Sequence, residues 1–245
     1  MSALPPLPDP SARRATRIAW QAVAEHVVSA ARHAATGRIG LRAAAGGFAT
    51  PPFTVDGHER RVGVTGAHLF VEDGDTRVEE PLTTVRAAAT VAGIEPGAPV
   101  SVYTPTTPLD LDAPLVVDEG AAAALAAWYA LGAAALDEIA RSARPDDDPS
   151  AIELWPEHFD VGLAFGPETI GARGTFGASP GDEQHDEPYL YVTHWADVPA
   201  DPYWNDTAFR GASVTYSALA RTSDTEPAAV GFFERGVDVL RGSAS

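Results

Sequence analysis

Glu153-Leu154-Trp155-Pro156-Glu157-His158-Phe159-Asp160-Val161-Gly162-Leu163-Ala164-Phe165 is the stretch whose reading decides the fold. From Ile152 to Phe165 it reads as a strand, in which alternate side chains share a face. Phe159, Val161, Leu163 and Phe165 then face the core, while His158 and Asp160 point together to the other side. Gly166-Pro167-Glu168 supplies a turn, Thr169 to Phe176 returns, and Pro188 to Trp195 makes a third strand. Connections of hairpin length make these strands antiparallel.

Working outward, Ser11 is positioned to cap a helix to about Ala35, with Gly37 as its stop. Arg38–Ala44 alternates like a strand, as do Arg61–Thr65, His68–Glu72 and Arg77–Glu80. Asp73-Gly74 is the dipeptide that favours a tight hairpin. Thr83 or Thr84 starts a short helix ending near Gly93, and Val100–Tyr103 reads as a further strand. Asp118 caps the strongest helical pattern, Glu119–Ala143, with an apolar stripe through Leu125, Trp128, Leu131, Ala135 and Ile139. Thr225 begins a last helix, Glu226–Arg241, and a polar loop spans Ala196–Asp206. The expected class is α+β, with mainly antiparallel sheets and packed helices. The run Arg144–Pro149 reads as a solvated linker. It divides an N-terminal half, 1–145, from a C-terminal half, 150–245, as two domains or one continuous one. Each half reads as a strand meander followed by a helix.

Composition narrows the function. The chain has 245 residues, no cysteine, and 34 acidic against 17 basic side chains, a formal charge of −17. Every basic residue is arginine. Disulfides, thiolate catalysis, lysine Schiff bases and a P-loop lysine are therefore excluded. The charge disfavours nucleic acid and anionic membranes, since phosphate neutralisation dominates such binding. No apolar run reaches the length of a membrane span, and Met1–Pro10 has no secretory pattern, so a soluble cytoplasmic protein is expected. The acidity has a second reading, a salt-loving host.

Three of the seven histidines and three of the five tryptophans fall between Leu154 and Trp204. If the strands align, one sheet face gathers His158, Asp160, Arg173, Thr175, Tyr189 and Tyr191, a mixture that suits a small-ligand pocket. Arg173 would supply a fork for an anion, or pair with Asp160. His158, Asp160, Asp182, Glu183 and His185 form a candidate set for zinc, manganese or iron. A divalent metal is thus the one cofactor the residues leave open. HExxH and EF-hand patterns are absent. Gly177-Ala178-Ser179-Pro180-Gly181 imitates a nucleophile elbow, but Pro180 lacks the N–H that an oxyanion hole requires. His26 and His33 read as surface or interface residues.

Trp155-Pro156-Glu157-His158-Phe159-Asp160, followed by Phe176–Glu183 and Glu187-Pro188-Tyr189-Leu190-Tyr191-Val192, resembles a family of uncharacterised proteins from high-GC Gram-positive bacteria. The order of elements from Phe53 to Val192 is also similar to a broader bacterial family of unknown function. The resemblance implies the fold organisation and the place of the site, and lends no activity. The expectation is a module that binds a small molecule or a protein partner through the polar and aromatic sheet face. The alternative is a metal-dependent hydrolase. Oligomeric state is not legible in the sequence.

Overall fold

The computed structural model describes residues 4–197 and 200–242. Val198 and Pro199, within the loop expected over 196–206, lie outside the described residues, as do the first three residues of the Met1–Pro10 stretch. Among the described residues the strands form two antiparallel sheets with packed helices, an α+β fold. The chain separates into two compact units. Pro5–Ala127 and Leu154–Phe159 build the N-terminal unit, and Trp128–Glu153 and Asp160–Ser245 belong to the C-terminal one. The division therefore falls within a helix and beside Phe159, not at 145–150.

In the N-terminal unit, helix α1 (Pro10–Val23) runs through a widened π-type turn, Ala24–Val28, into α2 (Ser29–Thr36). Asp9, not Ser11, caps it by accepting the Ser11 amide at 2.9 Å, with proline in the first turn where its missing N–H does no harm. Gly37 ends it at φ 71°, a left-handed conformation that glycine adopts without strain. Strands β1 (Arg42–Ala44), β2 (Gly47–Ala49), β3 (Phe53–Val55), β4 (His58–Thr65), β5 (His68–Asp73) and β6 (Thr76–Pro81) follow. They pair in the order β1-β2-β4-β5-β6, with β3 also on β4. The β5–β6 hairpin turns at Gly74, where the sequence placed it. Helix α3 (Val85–Ala92) is capped by the Thr84 hydroxyl oxygen, which accepts from Ala87 N–H at 3.1 Å. It stops at Gly93, as expected.

The strand expected at Val100–Tyr103 does not form: Val100 and Val102 lie exposed in an irregular segment. What orders that segment is the π-type turn. Glu25 is fully buried, and its carboxylate accepts the Thr106 and Thr107 amides at 2.7 and 2.8 Å together with both threonine hydroxyls. His26, expected at the surface, is 1% exposed. Its Nδ1 accepts the Ala98 amide at 3.1 Å, and Nε2 lies 3.0 Å from the Thr107 carbonyl. A backbone N–H can only donate, so Nδ1 is the acceptor and the ring's proton sits on Nε2, facing that carbonyl.

Helix α4 (Glu119–Arg141) begins where Asp118 caps it, accepting Ala121 N–H at 2.8 Å. By length and composition alone it could cross a membrane, which the sequence reading did not anticipate. Of its most apolar window 61% is buried within the structure, the pattern of a core helix. In the C-terminal unit its Trp128 is fully buried and donates Nε1–H to the Ser179 carbonyl at 2.8 Å. Gly132 lets the helix lie against the sheet, because a Cβ there would stand 2.3 Å from that of Ala178.

The second sheet is ordered β11 (Gly211–Thr215), β10 (Tyr189–His194), β9 (Gly174–Ser179), β8 (Asp160–Phe165), β7 (Glu153–Trp155). Helices α5 (Tyr216–Ala220) and α6 (Thr225–Gly242) complete the chain. Arg144–Pro149 is exposed, as a solvated linker would be, at every residue but Asp147. Asp147 is fully buried, accepting the Arg144 amide and the Arg241 guanidinium, each at 2.6 Å.

Phe159 is fully buried in the N-terminal unit, edge-on to Phe48 with ring centroids 5.4 Å apart. Truncating it to alanine is expected to remove about 3–5 kcal/mol of stability by chemical denaturation. A loss under about 1 kcal/mol would show that the ring carries no core packing.

Candidate functional site

The strand expected over 152–165 is broken in two. Phe159 donates its amide to the Trp155 carbonyl at 2.7 Å and adopts φ 54°, so the block turns before β8 begins at Asp160. Strand alternation therefore does not put His158 beside Asp160. His158 is exposed and belongs to the N-terminal unit, while Asp160 opens β8 of the C-terminal one. Trp155 is half-buried.

Within the C-terminal unit, β10 places Tyr189 and Tyr191 on one face. Tyr191 stands between Gly177 on β9 and Ser213 on β11, and Gly177 is paired in turn with Gly162 on β8. The Tyr191 ring occupies the space a side chain at 177 would need: a Cβ there would lie 2.5 Å from Cζ and 2.6 Å from the hydroxyl. Crossing that glycine, the hydroxyl donates to Asp160, which is 7% exposed. Tyr189 donates its hydroxyl to Asp182 at 2.7 Å.

Asp182 closes the 182–185 turn by accepting the Gln184 and His185 amides at 2.7 and 2.9 Å. His185 then bridges two loops, with Nδ1 3.3 Å from Asp182 and Nε2 3.0 Å from Asp206. Asp206 also accepts the Ser213 hydroxyl at 2.5 Å and the Ala208 amide at 2.8 Å. Over this network lie aromatic rings. His185 stacks on Tyr189 with centroids 4.2 Å apart, and Phe209 sits 6.2 Å from both tyrosines.

Burial pushes both phenols above their ordinary range, reinforced by the hydrogen bond to Asp182 for Tyr189 and by the Asp160 charge for Tyr191. Burial alone would raise the two loop carboxylates as well, but their donors outweigh it. The Tyr189 hydroxyl and two backbone amides hold Asp182 low; Ser213, Ala208 and His185 do the same for Asp206.

Arg173 is not part of this group. It precedes β9, donates to the Gly166 and Asp148 carbonyls at 2.9 and 3.1 Å, and lies 5.2 Å from the Trp195 ring centroid. Asp160 is not its partner; it staples the 147–148 turn. Thr175, opposite Thr193 in the register, shares the face of Tyr191 as expected, and its hydroxyl accepts the Trp195 indole N–H at 3.0 Å. The candidate metal set is likewise dispersed: Glu183 is exposed, His158 lies in the other unit, and Asp182 and His185 are engaged with each other and with Asp206. Among the described residues no three His, Asp or Glu side chains are grouped to hold a metal.

Sequence reasoning missed Asp206, Phe209 and Ser213, because β11 was not foreseen. Its small and β-branched run, Gly211-Ala212-Ser213-Val214-Thr215, was the available signal. Comparisons with protein-family models, curated proteins and solved structures give no match.

The lowered carboxylates tie this region's stability to pH. Their contribution is complete above about pH 4, the unfolded value, and is lost as pH falls through the lower folded values. Stability should therefore drop more between pH 5 and pH 3 in the wild type than in a D182N/D206N variant. Equal drops in denaturation midpoint would sever the link.

Proposed function

We propose that the chain is a small-ligand-binding module whose seat is the tyrosine face of the second sheet, and that its ligand is an organic cation. The observation that carries this reading is the composition of the seat. Tyr191, Phe209 and His185 are partly exposed rings, and the acids among them are Asp160, Asp182 and Asp206. With Arg173 bound elsewhere, no arginine enters the group. Arg210, next to Phe209, pairs instead with exposed Asp197. Aromatic faces beside carboxylates attract ammonium or guanidinium groups, by cation–π contact and by charge. The net charge of −17 acts in the same direction on an approaching ligand.

The hydrogen bonds support binding in a further way. Each phenol and carboxylate is already fixed by a partner, so the seat loses little side-chain freedom when occupied. Gly177 is what allows this, since any side chain there would lift the Tyr191 ring off its path to Asp160.

A thermal-shift titration with choline and benzylamine, against sodium chloride at equal ionic strength, tests the proposal. At ten times Kd, a ligand of the folded state adds about 1.4 kcal/mol, or roughly 3 °C for a chain of this size. The rise should shrink in F209A and D160N, and in G177A, where the ring is displaced. Amine shifts no larger than those of sodium chloride would end this reading.

A further inference from the structure

We infer that β6, the edge strand of the N-terminal sheet, is a docking site for a second copy of the same chain, joined antiparallel about Val78. The inference does not rest on the cation seat. All 6 residues of β6 are exposed, and the strand is paired on one side only, with β5. The other edges among the described residues offer less. Strands β1, β3 and β7 are 3 residues long, and β7 carries the Leu41–Leu154 bridge. On β11 the Asn205 side chain already takes both the amide and the carbonyl of Ser213.

The existing ladder fixes which backbone groups of β6 point outward. Leu82, just past the strand, donates its amide to the Ala67 carbonyl at 2.8 Å. In an antiparallel pair such bonded positions recur at every second residue. Thr76, Val78 and Glu80 are therefore bonded to β5, while Arg77 and Glu79 turn their amides and carbonyls away from it. Pro81 has no amide to offer, which ends the run. Of the antiparallel registers that match outward positions, one sets Arg77 against itself and another sets Glu79 against itself, and like charges directly opposite destabilise a pair. The remaining one sets Arg77 opposite Glu79 of the second copy, and by two-fold symmetry Glu79 opposite Arg77.

The side chains suit that register. Val78, 45% exposed, then meets Val78 of the second copy at an unbonded position, where side chains come closest. It shares a face with buried Val71 and Val62, so the new pair extends an apolar row already present. On the other face the edge is balanced in charge, Arg61 and Arg77 standing with Glu72 and Glu79. In a chain of net charge −17, that is a place where two copies can approach. Glu80 falls opposite Thr76 of the second copy, whose hydroxyl can donate to it. Charged side chains and proline on an edge deter strands at large, but the order Arg77-Val78-Glu79 is complementary to itself.

Two strands of this length bury less than the roughly 1,200 Å² of a stable interface, so the dimer should be weak, with Kd on the order of 100 µM. Sedimentation of the full chain between about 10 µM and about 1 mM should show monomer passing into dimer, in about 0.3 M sodium chloride to screen the repulsion of two acidic chains. Arg77→Glu and Glu79→Arg each set like charges opposite and should weaken the dimer by about tenfold. Mixed, the two variants should associate again, because each position then meets the opposite sign. Glu79→Pro removes an outward amide while sparing the bonds to β5, and should leave a monomer. Arg77 also covers Phe70, 4.2 Å from the ring centroid, so its variant is read beside the far-ultraviolet circular dichroism spectrum. If that spectrum changes, exposed Glu79 and its proline variant decide alone. A wild type that stays monomeric at about 1 mM overturns the inference and leaves the edge to some other chain. A dimer undiminished by Glu79→Pro, or folded charge variants that stay apart when mixed, overturns it as well.

Discussion

A carboxylate taken out of water must be met by donors, and each unit of this protein is organised around that demand. In the N-terminal unit the demand is Glu25. Four donors from Thr106 and Thr107 converge on it, and those bonds hold an irregular segment with few regular backbone partners of its own. The π-type turn is the local adjustment that carries Glu25 and His26 inward together. In the C-terminal unit Asp147 anchors the chain between α4 and the second sheet, and Asp160, Asp182 and Asp206 gather phenol, hydroxyl, imidazole and amide donors. Replacing a donor in such a group leaves a buried charge short of partners, which is why these positions tolerate little change.

Local signals were legible in the sequence because their causes are local. Asp118 and Thr84 cap helices within three residues of themselves, Gly37 and Gly93 end them, and Gly74 turns a hairpin. The Trp128 stripe was legible for a similar reason, since helical spacing alone sends it inward. The failures share a different cause. Glu25 and His26 look like surface residues of a polar helix until Thr106 and Thr107, eighty residues away, are folded over them. The 152–165 run looked like one strand because its break rests on Phe159 at positive φ, a conformation no composition rule assigns to phenylalanine.

The site was half legible. Tyr189 and Tyr191 share a face because strand alternation requires it, and the acidic loop beside them was visible as composition. Its chemistry was misread through Arg173. One residue outside β9, that guanidinium goes to backbone carbonyls, and without it the proposed seat keeps only its aromatic and acidic groups. Gly177 carried the deeper message. A glycine inside a strand usually marks a close approach, and here the approaching group is the Tyr191 ring.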